Sequence, residues 1–295
     1  MSLDAFIEKH RLPTAFVDSA ERCYLPCADW LHQQVANHEG DGLTGAYVLG
    51  INGAQGTGKT TLADLLAEVM NERHGYRVVV LSIDDIYKTK AEREVMARDV
   101  HPLFATRGVP GTHDVELGIS TIDALLDLKE GNTVRVPRFD KSVDDRCPES
   151  DWTVVEGPVD VVILEGWCVG SRAAPDEELN EPVNALESER DPDGGWRRAV
   201  NDALKSDHRR LFALLNSLVL LKAPDFDCVY RWRLEQEHKL RDRVGDASGV
   251  MTDEEVATFI QHYERITRDN LERLQHSASV VIELAADHSA VSIRT

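Results

Sequence analysis

One octapeptide restricts this chain more than any other feature: GAQGTGKT, residues 53–60, which meets the Walker A pattern G-x-x-x-x-G-K-[ST] at every specified position. Its surroundings sharpen the reading. The motif follows the apolar run YVLGI and opens TLADLLAEVMNERHG, an amphipathic segment whose Gly75 stands where a helix C-cap belongs. Strand, glycine-rich loop and helix therefore come in the order that a phosphate site requires. Gly53, Gly56 and Gly58 let the backbone wrap closely around phosphate oxygens, while the amides of Ala54, Gln55 and Thr57 and the helix N-terminus supply positive potential. Lys59 can reach β and γ phosphates and Thr60 can offer a hydroxyl to Mg²⁺, with Thr61 beside them in the first helical turn.

The rest of the chain supplies the sheet that such a loop needs. YVLGI, RVVVLSI (77–83), DVVILEG (160–166), LVLLKA (218–223) and VVIEL (280–284) are five short apolar, β-branched runs without alternation. Runs of that kind suit strands buried on both faces, and the helical segments between them suit parallel crossovers. The expectation is an α/β fold with a doubly wound, parallel five-stranded sheet. Residues 1 to about 40 read as a helical N-terminal extension broken at Pro13 and Pro26, ahead of one large domain over 41–295. Within that domain, 84–159 holds a Pro/Gly-rich loop, a helix from about 115 to 129 and the strand-like VRVPRF, and it reads as an acceptor-binding insertion. Residues 171–195 carry eight acids against two arginines and read as a solvated insertion.

Charge and composition remove whole classes of function. The 295 residues hold 33 Lys plus Arg against 52 Asp plus Glu, a net charge of −19 that repels phosphodiester backbones and anionic lipid heads. Nucleic acid is therefore not an expected partner. The longest apolar stretch, LFALLNSLVLL at 211–221, is too short for a bilayer span. The N-terminus lacks an apolar signal core, so a cytoplasmic location is expected. Five scattered cysteines offer neither a disulfide framework nor paired metal-ligand spacing. Oligomeric state is not set by any of these features.

Two acids fall at strand ends, where an open parallel sheet forms its ligand crevice. LSIDD puts Asp84 and Asp85 directly after one strand, suited to serve as base for a substrate hydroxyl, and DVVILEG ends in Glu165, suited to hold Mg²⁺ or its water shell. The plainer role for each is a helix N-cap or a turn acid. YRWRLEQEHKLRDR (230–243) adds five cations against three acids and reads as a lid over the phosphates. Arg231 and Arg233 have glutamates four residues on, which also suits simple helical ion pairing. Arg241 and Arg243 lack such partners and are the better candidates for stabilising transferring charge.

Taken together, these segments resemble the P-loop kinase group of phosphoribulokinase, uridine kinase and pantothenate kinase. Within it they are most similar to plant-type D-glycerate 3-kinases and their fungal and bacterial relatives. The resemblance runs through SIDDIY (82–87), HPLFATRGVPGTHD (101–114), VPRFDKS (136–142), VEGPVDVVILEGW (155–167), VYRWRLEQE (229–237) and MTDEEV (251–256). It implies the fold of P-loop kinases with substrate and lid insertions, the lid over 230–250, and ATP with Mg²⁺ as the phosphoryl donor. It also implies a small metabolite as acceptor, D-glycerate first. Asp84 becomes the base toward the acceptor hydroxyl, with Thr60, Glu165 and Asp84 at the metal, and Lys59, Arg241 and Arg243 on the transferred charge. Asp85, Tyr87, Arg107, His113, Asp114, Arg138, Asp140 and Lys141 become the acceptor pocket. SVDDRC is shorter than the plant pattern after FDKS, and Ile86 and Ser171 stand where phenylalanines are usual, so the pocket is expected to differ in shape. A nucleotide-switched regulator is the rival from another class. Against it, LKAP at 221–224 lacks the guanine-reading N/T-K-x-D motif.

Overall fold

The computed structural model describes residues 3–42, 45–244 and 250–295, without the side chains of 243 and 244. In chain order the first elements are α1 (Leu3–His10), α2 (Phe16–Ser19), a π-helical turn Ala20–Tyr24, α3 (Leu25–Gly40), β1 (Tyr47–Gly53), α4 (Lys59–His74) and β2 (Val78–Ser82). A 3-10 turn, Ile83–Ile86, leads to α5 (Lys90–Asp99), α6 (Val115–Leu126), β3 (Thr133–Val136), β4 (Phe139–Asp140), β5 (Asp145–Arg146) and β6 (Thr153–Glu156). Then come β7 (Val161–Gly166), α7 (Ala185–Arg190), α8 (Gly195–Lys205), α9 (Asp207–Phe212), β8 (Ser217–Lys222), α10 (Phe226–Val244), α11 (Asp253–Glu272), β9 (Val280–Leu284) and β10 (Ala290–Arg294).

The main sheet has the order β10-β9-β8-β1-β7-β2, parallel except for β10, which runs antiparallel to β9. All five anticipated strands are present, and β10 is a sixth that sequence reading omitted. AVSIR is half exposed at the sheet edge and lacks the apolar run that marked the others. β1, β7 and β8 are buried along nearly their whole length, as strands covered on both faces must be. The chain leaves β1 between β7 on one side and β8 on the other, so the loop after β1 opens at the switch point of the sheet.

Two expectations need correction. Pro26 does not break the N-terminal helices: it occupies the first turn of α3, where a missing N–H costs no hydrogen bond, and the π turn before it carries the chain straight through. The expected helical N-terminal extension is itself present, and it is packed into the domain. Phe6, Cys23, Cys27 and Leu31 are fully buried in the same core as Leu49, Ile51 and Leu66. The acidic stretch 171–195 is likewise more than a solvated insertion. Glu187 is 1% exposed and holds Arg265 at 2.6 Å, while Asp191, also 1% exposed, accepts from the amides of Trp196 and Arg197 and pairs with the Arg197 guanidinium at 3.0 Å. Buried carboxylates so partnered fasten α7 and α8 onto the body of the domain.

Candidate active site

The loop between β1 and α4 takes the shape its glycines permit. Gly56 and Gly58 have φ of +83° and +82°, a left-handed conformation that L side chains rarely adopt. Gly58 caps α4, so Lys59 and Thr60 stand in its first turn, where unpaired amides and the helix dipole favour an anion. The Thr57 hydroxyl donates to the Ala54 carbonyl at 2.8 Å and braces the loop from within.

Two carboxylates approach from neighbouring strand ends, while a third beside them does not. Glu165, in the last turn of β7's run, is 3% exposed and its Oε1 accepts from the Thr60 hydroxyl at 3.1 Å. Its Oε2 is buried without a hydrogen bond. Burial pushes this carboxyl up from the ordinary range, against the nearby Lys59 ammonium. A hydroxyl beside a buried carboxylate with a spare oxygen is a donor set that suits a small hard cation such as Mg²⁺. Asp84, in the 3-10 turn after β2, accepts from the Tyr87 hydroxyl at 2.6 Å and from the Lys141 ammonium at 2.5 Å. Burial would raise its carboxyl, but Lys141, Tyr87 and Lys59 outweigh burial and bring it down to about 2. Asp85 turns away: it accepts from Arg138 at 2.8 Å and from the Phe139 amide, tying the turn after β2 to β4.

A cavity of about 320 Å³ joins these groups, lined by Gln55, Gly56, Lys59, Asp84, Tyr87, Arg107, Lys141, Trp167, Arg233 and Tyr263 among others. Trp167, Tyr263 and Arg107 are joined to one another in its wall. The Trp167 indole donates to the Gly108 carbonyl and its ring meets Tyr263 edge-on, while the Tyr263 hydroxyl donates to the Arg107 carbonyl. Arg107 also pairs with Asp144 and lies 5.6 Å from the centre of the Phe139 ring. A larger cavity of about 600 Å³ lies between Gly170–Ala173 and α9, but no residue of the phosphate loop reaches it.

Several anticipated residues are elsewhere. Asp114 caps α6 by accepting from the Leu117 amide and pairs with Arg146 at 3.0 Å. His113 is buried against His208, their ring nitrogens 3.0 Å apart. Asp140 is an exposed turn acid bound to Ser142, and Arg138 serves Asp85. Arg241 donates to the Met251 carbonyl and stands 3.7 Å from Asp253, outside the residues lining the cavity. Its local sequence showed no acid because its partners come from beyond the helix. The Arg243 side chain lies outside the described residues. Arg233 stands in the lining instead. Its i,i+4 pair with Glu237, 2.6 Å apart, is present, and that pair is what set it behind Arg241 and Arg243 within the segment read as a lid. Trp167 entered only as the last residue of the VEGPVDVVILEGW segment, and Tyr263 had no signal beyond its aromatic character.

The chain matches the family model described as Phosphoribulokinase / Uridine kinase family over residues 48–172. It is 33% identical over 253 residues to the chloroplastic D-glycerate 3-kinase of Arabidopsis thaliana, a match taking in 81% of this chain and 52%, about half, of the plant protein. It is 37% identical to an uncharacterized kinase of Schizosaccharomyces pombe over 74% of this chain and 78% of that protein. Among solved structures it is similar in fold to the D-glycerate 3-kinase from Cryptococcus neoformans, with a TM-score of 0.76, 24% identity, and coverage of 92% of this chain and 98% of the other.

Proposed function

Since the chain belongs to the phosphoribulokinase/uridine kinase family, we propose that it transfers the γ-phosphoryl group of ATP to a hydroxyl of a small hydroxy acid, with D-glycerate as acceptor. The observation that carries this reading is the convergence of Lys59, Asp84 and Arg233 on one cavity, with Glu165 hydrogen-bonded to Thr60 beside it. Thr60 and Glu165 would hold Mg²⁺, which when bound draws charge from the phosphate oxygens. Lys59 and Arg233 neutralise the charge on the transferring group. Asp84 accepts a hydrogen bond from the acceptor hydroxyl and takes its proton as the new P–O bond forms and the bond from Pγ to the bridging oxygen breaks, releasing ADP. A carboxylate at about 2 is a feeble base, which suits a loose transition state where orientation matters more than early proton removal.

The acceptor is argued from charge. Arg107 and Lys141 bring two cations into the lining of the cavity, where each already meets one carboxylate, Asp144 and Asp84, and a carboxylate on the acceptor would share them. The relative named D-glycerate 3-kinase supports the same choice. The test is ADP release from MgATP with D-glycerate, L-glycerate, pantothenate, uridine and a sugar phosphate offered separately. D-glycerate should give the highest kcat/KM. Selective turnover of an uncharged acceptor would reject the carboxylate argument, and ADP release indifferent to every acceptor would reject the kinase.

A further inference from the structure

Resting on the nucleotide reading above, we infer that the N-terminal helical segment is part of the donor site: the elbow between α1 and the π turn walls the subsite for the base of the nucleotide. A second cavity of about 320 Å³ lies on the other flank of the phosphate loop. Its walls come from the elbow (Leu12, Pro13, Phe16), the loop (Gly58) and the pair Trp232 and His288. Gly56 and Gln236 line both this cavity and the one holding Lys59 and Asp84. The two are thus opposite ends of one path across the loop. A triphosphate lying over the loop with its terminal group at Lys59 carries its other end into the second cavity.

The chemistry of the two ends differs in the way a nucleotide requires. The Lys59 end is ringed by charge, whereas the elbow end sets the rings and aliphatic carbon of Leu12, Pro13, Phe16 and Tyr24 beside a margin of Glu235, Lys239 and Asp287, a setting that takes a flat aromatic group with polar edges more readily than phosphate. It is also built. His288, at a φ of +68°, meets the Gly56 carbonyl through Nδ1 at 3.0 Å and stacks on Trp232 with ring centres 4.5 Å apart. The Trp232 indole donates to the Ala286 carbonyl at 2.9 Å, and a Cβ on Gly56 would come within 2.6 Å of the Trp232 Cβ. The elbow is fastened to this frame where the Ser19 hydroxyl accepts from the Ala290 amide at 2.9 Å. Phe16 is held in place by Phe6 and Tyr24, at ring distances of 6.0 and 5.5 Å. The elbow residues Leu12, Pro13 and Phe16 precede residue 48, where the family-model match begins, so that match does not include this wall.

The experiment separates the base from the phosphates. Calorimetry on the full chain measures the uptake of MgATP and of magnesium tripolyphosphate, which has the phosphates without a base. Two variants are compared with the native chain: Phe16→Ala, which removes a wall, and Ala15→Trp, which fills the cavity from an exposed position and leaves the core untouched. Each should weaken MgATP about tenfold, the loss expected when a stacking surface is removed or blocked, while tripolyphosphate binding stays within about twofold. MgATP binding unchanged in Ala15→Trp, or equal weakening of both ligands in that variant, overturns the inference and leaves the kinase standing. Failure of the native chain to take up either ligand overturns the nucleotide reading itself, and the inference with it.

Discussion

At the residue scale, the state of Asp84 follows from its two neighbours. Lys141 favours the charged carboxylate and Tyr87 donates to it, so Asp84 stays ionised well below the ordinary carboxylate value of 3.8. Lys141→Ala removes the largest favourable charge and leaves burial opposed only by Tyr87 and Lys59, so the Asp84 pKa must rise. The acidic limb of kcat/KM against pH should then move upward by about a unit or more. An unmoved limb would mean that another group takes the proton. Asp84→Asn should keep MgATP binding by calorimetry yet lower kcat by at least about a hundredfold. Arg233→Ala should lower kcat by a similar order, while Arg241→Ala, whose guanidinium serves Met251 and Asp253, should stay within about threefold. Steady-state kinetics on both variants decide between them, and the reverse ranking would restore the sequence-based assignment. Lys59 was legible from the glycine-rich motif that opens α4, and Asp84 and Glu165 because each lies at a strand end, all of them local signals. Arg233 was not, because its glutamate four residues on gives it an ordinary surface explanation. Only the packing of α11, which carries Tyr263, reveals that this face of α10 points into a cavity.

At the element scale, the phosphate loop is held by two glycines for different reasons. Gly58 has open space around the missing Cβ, so only its left-handed φ resists a side chain, and Gly58→Ala should cost about 1 kcal/mol in urea unfolding. Gly56 carries the same φ and also faces Trp232 at 2.6 Å, so strain adds to overpacking and Gly56→Ala should cost about 3 kcal/mol. Equal costs would show that Trp232 yields, and would loosen the frame that joins α10 to the loop. Elements set by period and local chemistry were readable in advance: the five central strands, α4 with its glycine cap, and α6. Those governed by distant partners were not. β10 exists because β9 offers it an edge, Pro26 is harmless because a π turn precedes it, and the acidic stretch folds because Arg197 and Arg265 reach its buried carboxylates.

At the scale of the whole molecule, acid should weaken the fold before most of its carboxylates titrate. A net charge of −19 would ordinarily make mild acidification helpful, since self-repulsion falls as protons bind. His113 and His208 oppose this. Both are buried and their ring nitrogens meet, so burial pulls His208 down to about 4, and burial together with His208 holds His113 well below its ordinary value of 6.5. Unfolding frees both rings to bind protons near pH 6.5, so between that pH and about 4 the unfolded chain holds more protons than the folded one. Stability must therefore fall as pH drops through this window, and a gap of the size at His208 corresponds to up to about 3 kcal/mol. Asp84 acts in the same direction but lower: its pKa is depressed, so its contribution is complete above the ordinary carboxylate value of 3.8 and fades only toward about 2. The two sources separate on the pH axis. Urea midpoints measured from pH 7 to 4.5 should decline in the native chain, and His208→Phe should flatten that decline whatever it costs at neutral pH. A midpoint that instead rises on acidification in the native chain would show that relief of the −19 charge outweighs the buried histidine pair.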